Sequence, residues 1–271
     1  MKMIDKNKST PVMKQFWNIK EQYQDCIILF RMGDFYETFE KDAEITSKIL
    51  GIALTKRSNG AAASVALAGF PYHSLDQYLY KLLKAGHKVA VCEQVENASQ
   101  SKGIVKREVV EVVSPGTTIS DKFLDKNNNN YIFSAYYDRD SIGISLLDYS
   151  TGEFYTNQIE SNNFNNIISQ YNISEILVLE SQQELFQKFK STNKIFTNSI
   201  PDWLNEFNYN NELLCNHFNV KSMKGFGLDN KSSSIVSSGM ILYYLNENFN
   251  RQSSHISNLK SLSYNNRMQL D

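Results

Sequence analysis

A Pro-Gly turn followed by a polar, asparagine-rich stretch interrupts this sequence between residues 115 and 130. Turn residues and clustered asparagines are typical of a connection between domains rather than of a packed core. The chain has 271 residues, which is long for one domain and sufficient for two of about 100 to 150 residues. We therefore predict a first domain over residues 1–118, a linker over 119–130 and a second domain over 131–250.

The composition is that of a folded protein outside membranes. Hydrophobic residues make up 41% of the chain, and no apolar run approaches the roughly 20 residues that a membrane-spanning helix needs. The charged start MKMIDKNKST does not resemble a signal peptide, so we expect a cytoplasmic location. The three cysteines and four histidines are dispersed, which favours neither a disulfide framework nor a metal site.

The charge differs between the two parts of the chain. Residues 1–118 hold 16 Lys+Arg against 13 Asp+Glu, a net charge of +3, whereas residues 119–271 hold 12 against 16, a net charge of −4. The sum is the −1 of the whole chain. Only the first part is therefore a candidate for facing phosphate groups.

Helical and strand patterns alternate in the first part and predict an α/β domain. CIILFR at 26–31 reads as a buried strand, Gly33-Asp34 as a tight turn and FYETF at 35–39 as a returning strand. A helix follows from residue 40, and a second helix opens at Ser74 with a capping box to Gln77 and ends at Gly86. KVAVCEQV and REVVEVVS are predicted as further strands.

The second part begins with three closely spaced strand patterns, YIFSAYY, SIGISLLDYS and EFYTNQI, which predict an antiparallel meander. Helices near 161–171, at QQELFQKFK and near 232–249 then alternate with the strands EILVLE and KIFTN. A meander followed by α/β alternation is the order of a ribonuclease H-like fold.

The segment RMGDFYETF carries the most specific chemical signal. If Gly33-Asp34 is a hairpin turn, strand alternation places Phe35 and Glu37 on one face. An aromatic ring can wedge into a weakened base step, and a carboxyl group can discriminate between base edges, either protonated as a donor or ionised as an acceptor. Asp34-x-x-Glu37 also fits a capping box that starts a helix, with Phe35 in the core, and the spacing alone leaves both interpretations open.

Five consecutive blocks resemble the N-terminal domain of the MutS family of bacterial mismatch repair proteins: TPVMKQFWNIK, ILFRMGDFYETF, LGIALTKR, LAGFPYHSLDQYLYKLLKAGHKVAVCEQVE and KREVVEVVSPGT. ISLLDYSTGEFY and KGFGL are similar to that family's connector domain, and residues 251–271 to the start of its lever domain. The resemblance implies that Phe35 stacks on a mispaired base from the minor groove, that Glu37 hydrogen-bonds to that base, and that the duplex is kinked there.

The resemblance also implies partners and cofactors. The expected ligand is double-stranded DNA with mismatches or small loops, and MutL is expected to dock on the connector. A homodimer, and ATP with Mg²⁺, are expected only of the full-length parent, and no cofactor is expected in these 271 residues.

Other residues are weaker candidates for DNA contact. Met32 lies beside the proposed wedge. Lys56 and Arg57 end the strand-like segment LGIALTKR and lead into the small-residue loop SNGAAAS, which suits phosphate contact. His73 and Ser74 lie at a helix N-terminus that favours phosphate. Lys102, Lys106 and Arg107 form a short basic cluster. Packing, solvent exposure and, for Ser74, helix capping are the alternative roles.

The sequence does not favour an enzyme. YIFSAYY lacks the first-strand carboxylate of metal-dependent ribonuclease H-like nucleases, and Asp148 is predicted to be a hydrogen-bond acceptor near a turn. GFGLDNKS has Asn230 where a Walker A motif requires glycine. An alternative function is a protein-interaction module whose acidic second domain recruits partners and which binds DNA weakly by itself.

Overall fold

The computed structural model describes residues 9–96, 104–117, 129–139, 141–186, 195–229, 231–248 and 253–262. The chain forms two compact units, residues 1–114 and 115–271. Each unit is built around its own six-stranded sheet. Pro115, Gly116 and Thr117, which we predicted in the first domain, lie in the second unit.

The first unit is a mixed sheet with three helices. Its strands run in the order β3-β4-β2-β1-β5-β6, and all neighbours are antiparallel except β1 and β5. The elements are α1 (Pro11–Gln22), β1 (Cys26–Met32), β2 (Phe35–Phe39), α2 (Glu40–Leu50), β3 (Thr55–Asn59), β4 (Ala62–Pro71), α3 (Leu75–Lys84), β5 (Lys88–Gln94) and β6 (Arg107–Val113). The α/β prediction is confirmed.

The two faces of this sheet are covered to different extents. One face packs against α2 and α3 in a cluster that includes Leu29, Tyr36 and Phe70. On the other face, the ring of Phe16 in α1 packs edge-on against Phe30 and Phe39, with centroids 6.0 and 5.0 Å apart. Phe35 is 47% exposed, so α1 leaves the β2 end next to the turn uncovered.

Both predicted ends of α3 (Leu75–Lys84) lie within a residue or two of the observed ones, but the predicted cap at its start is absent. Gly86 (φ +83°) follows the helix, its N–H donates to Leu83, and the next N–H, of His87, donates to Leu82, which is the Schellman arrangement. Ser74 makes no side-chain capping bond, so the predicted capping box is absent. Ser74 instead ends a 3₁₀ turn, Tyr72–Ser74, and its backbone (φ −95°, ψ 9°) lacks the extended conformation of an N-cap.

The segment LGIALTKRSNGAAAS also differs from its prediction. The strand begins only at Thr55, and the expected small-residue loop is a hairpin in which β3 and β4 pair. Gly60 (φ +63°) supplies the positive φ that this tight connection requires.

The second unit has the strand order β11-β10-β7-β8-β9-β12. Strands β7 to β9 form the predicted antiparallel meander, and β10 and β11 add parallel to β7, so the ribonuclease H-like order is confirmed. The elements are β7 (Tyr131–Asp138), β8 (Ser141–Asp148), β9 (Glu153–Glu160), α4 (Phe164–Ile168), β10 (Ile173–Leu179), β11 (Phe196–Ile200), α5 (Phe207–Phe218), α6 (Ser232–Asn248) and β12 (Leu259–Ser261).

Four parts of the second unit differ from expectation. Helix α4 is shorter than predicted, and residues 180–186 form a 3₁₀ helix where QQELFQKFK was expected to be an α-helix; residues 187–190 lie outside the described residues. Helix α5 was missed, because its asparagine-rich sequence has low helix propensity. Strand β12 lies within the segment that we assigned to a lever domain, yet it pairs with β9.

Helix α6 packs unusually closely on the meander. Gly143 in β8 lies against the α6 backbone, and an ideal Cβ on Gly143 would be 1.9 Å from the carbonyl oxygen of Ser233. Small polar residues hold the two elements together: the Ser134 hydroxyl donates to the Ser237 carbonyl, and the Ser145 hydroxyl lies 2.9 Å from that of Ser238. No helix in the described part of the chain combines the length and the apolar character needed to cross a membrane.

Candidate nucleic-acid interface

The Gly33-Asp34 turn is the two-residue hairpin that the sequence predicts. Met32 at the end of β1 pairs with Phe35 at the start of β2, and Gly33 has φ +59°. Because Asp34 lies in the turn and Glu37 in a strand, the capping-box interpretation of Asp34-x-x-Glu37 is wrong. The β alternation is enforced by burial, since Tyr36 and Thr38 are 2% and 0% exposed on the face that packs against α2 and α3.

Phe35 and Glu37 share the other face of β2, as predicted. Phe35 is a large apolar side chain held at a strand start beside a tight turn, and 47% of its surface is exposed. Met32, its cross-strand neighbour, is half-buried. An exposed aromatic ring on ordered backbone is suited to stacking on a base.

Glu37 lies beside a notch in the sheet. Its cross-strand neighbours are Phe30 on β1 and Gly69 on β4. A Cβ at Gly69 would lie 3.4 Å from Cγ of Glu37 and 3.0 Å from the backbone oxygen of Tyr36. Because Gly69 has no side chain, the space beside the Glu37 side chain on this face is left free.

The Glu37 carboxylate forms an ion pair with Arg57. Nη1 of Arg57 donates to Oε2 of Glu37 at 2.6 Å, and the two side chains are 29% and 18% exposed. The Arg57 guanidinium also lies 5.8 Å from the centroid of the Phe39 ring. Arg57, predicted as a phosphate contact, is thus paired with Glu37 in the structure.

Burial and charge act in opposite directions on Glu37. Burial raises the pKa of its carboxyl group, and the guanidinium of Arg57, with a smaller contribution from Arg107, opposes that rise. The short contact with Arg57 is that of a charge-assisted hydrogen bond, which requires the ionised carboxylate. In this pair Arg57 donates and Glu37 accepts.

Two residues that sequence reasoning missed brace the hairpin turn. Nε of Arg31 donates to the Gly33 carbonyl at 2.5 Å, and the Arg31 guanidinium lies 4.0 Å from the centroid of the Tyr72 ring. The Tyr72 N–H donates to the Asp34 carbonyl at 2.9 Å. These contacts fix both turn residues and hence the direction in which Phe35 projects.

Arg31 also connects the turn to the sheet interior. Its Nη1 lies 3.6 Å from Oε1 of Glu93, which accepts a hydrogen bond from the Tyr36 hydroxyl. Burial, together with the Glu93 carboxylate, raises the pKa of Tyr36 to about 12, so the phenol stays a donor at neutral pH. No short-range sequence pattern identifies this group, because Glu93 is 57 residues from Tyr36.

Not all of the other predicted DNA-contact residues lie on the face of the sheet that carries Phe35 and Glu37. Lys56 is exposed, but strand alternation turns it to the opposite face of β3 from Arg57. His73 is exposed and its ring lies 5.9 Å from that of Tyr72, while Ser74 is half-buried. His73 and Ser74 thus lie next to the braced turn, although without the predicted cap.

The predicted basic cluster is divided by the fold. Arg107 is only 8% exposed, and its Nε and Nη1 donate to the carbonyls of Arg31 and Val105 at 2.6 and 2.8 Å. Its guanidinium is thus engaged within the unit, which leaves Arg107 poorly placed for the predicted contact with the DNA backbone. Lys106 is exposed and pairs with Glu108, whose carboxylate raises the pKa of Lys106. Lys102 lies outside the described residues.

In the second unit, Asp148 is a structural acceptor, as predicted. Its Oδ1 accepts from the Ser150 N–H and hydroxyl at 2.9 and 2.7 Å and from the Thr151 N–H at 3.3 Å, and its Oδ2 accepts from the Asn130 N–H at 3.2 Å. Strand β7 carries Ser134 at its centre and reaches a carboxylate only at Asp138, its last residue.

We therefore expect the second unit to have no nuclease activity. Incubating the protein with duplex DNA or an RNA–DNA hybrid, with Mg²⁺ or Mn²⁺, should leave both substrates intact, because Asp148 is occupied by backbone and hydroxyl donors. Metal-dependent cleavage that disappears in an Asp148→Asn variant would contradict this expectation.

Comparison with known proteins agrees with this architecture. The MutS domain I model matches residues 10–122 and the MutS domain II model matches residues 130–257. Within these 271 residues, only short segments remain outside the two domains, too little for an ATPase domain.

Relatives align over nearly the whole chain. The DNA mismatch repair protein MutS of Flavobacterium psychrophilum is 44% identical over 257 residues, which is 94% of this chain and 29% of the relative. MutS of Cytophaga hutchinsonii is 43% identical over 250 residues, which is 92% of this chain and 29% of the relative. The chain thus spans about three tenths of the length of these relatives. Since both domain models match in chain order and the relatives agree with them, this chain belongs to the MutS family.

Proposed function

We propose that this chain recognises mispaired or unpaired bases in duplex DNA and does so in mismatch repair. The observation that carries the proposal is the pairing of an exposed Phe35 with a partly accessible Glu37 on the same face of β2, at the end of the sheet that α1 leaves uncovered. The relatives bear the name DNA mismatch repair protein MutS. A large exposed ring on braced backbone has no evident packing role within its own unit.

Phe35 would act as a wedge. Inserting an apolar ring at a base step costs a few kcal/mol of unstacking, and a mispaired step, already weakened, costs less. Stacking on the exposed base returns about 1–3 kcal/mol. Insertion of Phe35 would therefore cost less free energy at a mispaired step than at a paired one, and it would kink the duplex at that step.

Glu37 would discriminate between base edges. A carboxylate near DNA is repelled by phosphates and gains only where a base offers it a hydrogen bond. Met32, His73 and Ser74 would support the duplex around it, and Lys106 would contact the backbone from its exposed position.

The second unit would act as the connector. We propose that it relays mismatch binding to the rest of a full-length protein and provides the docking site for MutL. Homodimerisation, and the use of ATP and Mg²⁺, would depend on parts of a full-length protein beyond these residues. The cytoplasm, where the chromosome is repaired, would be its location.

A second candidate function is that of a protein-interaction module with little DNA binding of its own. The exposed aromatic side chains of the second unit favour it: Trp203, Phe207 and Tyr209 are 48%, 41% and 39% exposed. A salt titration separates the candidates, since phosphate contacts give a log–log slope that grows with their number and an interaction module gives no binding to titrate.

The proposed function is tested by Glu37→Ala in the full-length protein. We expect binding to paired DNA to tighten, because a negative charge is removed from the DNA-facing surface. We expect the preference for mispaired DNA to narrow by about tenfold or more, since a hydrogen bond to a charged group is worth about 1.5–3 kcal/mol. Binding of both duplexes at one fixed salt concentration measures the ratio. An unchanged ratio would remove Glu37 from the recognition site.

A further inference from the structure

The Glu37–Arg57 pair joins two groups that would each gain from DNA separately. A guanidinium in this position would be attracted to phosphate, and a carboxylate would gain from a base edge that offers a donor. In the structure they form an ion pair with each other at 2.6 Å, with both side chains only partly exposed. The nearby Arg107 is committed to two carbonyl groups, so Arg57 is the described cation that contacts Glu37.

We propose that Arg57 is a specificity-determining residue because it competes with DNA for Glu37. This inference rests on the proposed function. On a paired duplex the ion pair stays closed, so that neither charge is used on the DNA. On a mispaired duplex Glu37 hydrogen-bonds to a base edge, and Arg57 is released to a neighbouring phosphate.

The balance of contacts explains why the two duplexes differ. Opening the pair on paired DNA would break a charge-assisted hydrogen bond and leave the partly buried Glu37 without a partner. A mispaired base supplies that partner, and the phosphate supplies one for Arg57. Opening the ion pair therefore costs free energy that new contacts offset on a mispaired duplex but not on a paired one.

The salt dependence of DNA binding tests the proposal. Each phosphate contact adds about 0.9 to the steepness with which log affinity falls as log salt concentration rises on duplex DNA. The full-length protein is titrated with KCl on paired and on mispaired oligonucleotides of otherwise equal sequence. We expect Arg57→Gln to lower the slope by about 0.9 on mispaired DNA and to leave it unchanged on paired DNA.

Releasing Arg57 should have the opposite effect. We expect Glu37→Ala, and the isosteric Glu37→Gln, to raise the slope on paired DNA by about 0.9, because Arg57 becomes free to contact a phosphate. This increase should disappear in the double variant Glu37→Ala with Arg57→Gln. The Glu37→Gln arm keeps the side-chain shape, so the test does not depend on how well Arg57→Gln folds.

Lys56→Gln is the matched control. Lys56 is the neighbouring residue on β3 and carries the same charge, but it faces away from Glu37. Its removal should change both slopes equally or not at all. If Lys56→Gln lowered the slope on mispaired DNA alone, the loss of any positive charge would have the same effect as the loss of Arg57. That result would overturn the proposal.

Two further outcomes overturn the proposal and leave the proposed function standing. If Arg57→Gln lowers both slopes equally, Arg57 is an ordinary phosphate contact; if it lowers neither, the pair is only structural. A wild-type protein that does not distinguish the two duplexes would instead refute the proposed function, and this inference with it.

Discussion

Replacing Phe35 with alanine will abolish the preference for mispaired DNA while lowering the melting temperature of the protein far less than truncation of a core phenylalanine does. Phe35 is 47% exposed, so its truncation removes only part of the buried surface that a core phenylalanine loses and should cost well under the about 3–5 kcal/mol of a core truncation. On DNA the same truncation removes the wedge and its stacking, worth about 1–3 kcal/mol for one base. Affinity for both duplexes in the full-length protein, with thermal melting of each variant, measures the two effects.

Phe39 offers a matched control for this prediction. It lies on the same strand and the same face as Phe35, but it is 0% exposed beneath the ring of Phe16. Phe39→Ala should destabilise the protein by about 3–5 kcal/mol, as core phenylalanines do. A melting temperature for Phe35→Ala that falls as far as that of Phe39→Ala would show that Phe35 belongs to a core.

Replacing Gly143 with alanine will destabilise the second unit by about 3 kcal/mol or more, which is at or above the usual cost of overpacking. The added Cβ would lie 1.9 Å from the Ser233 carbonyl oxygen and 2.2 Å from its carbon. These are backbone atoms of α6, so they cannot move aside as the end of a flexible side chain can. The helix must shift, which breaks the serine contacts that join α6 to the meander.

Chemical denaturation of the Gly143→Ala variant measures this loss, and Gly225→Ala is its control. Gly225 has nothing within 4 Å of an ideal Cβ and lies outside the positive-φ glycines, so alanine there should be nearly neutral. Equal midpoints for the two variants would mean that α6 and β8 are not packed as closely as the structure shows.

The hairpin at residues 26–39 could be predicted from the sequence because its determinants are local. Gly33 supplies a positive φ at the turn, and the alternation from Phe35 to Phe39 fixes which side chains share a face. The antiparallel meander of β7 to β9 was predicted for the same reason, since short turns make neighbouring strands pair, whereas the positions of β10 and β11 followed from the alternation of helices and strands after it. The roles of Phe35 and Glu37 on DNA came from the family resemblance and stay predictions.

Elements whose stability comes from their surroundings were predicted less well. Helix α5 has a poor helix-forming sequence, yet its buried Asn210 donates to the carbonyls of Leu204 and Glu206. Strand β12 has only three residues and is defined by its pairing with β9. Ser74 has the residue type of a cap without the backbone conformation of one.

By itself the sequence determined the turn, the alternation of β2 and the order of the elements, because turn chemistry and hydrophobic period act over a few residues. Only the tertiary structure decided which charges are available to DNA. Arg57 reaches Glu37 across β4, 20 residues away along the chain, and Arg107 turns inward to the Arg31 carbonyl, 76 residues away. Such pairings depend on strand register and on what covers each face, which no local pattern contains.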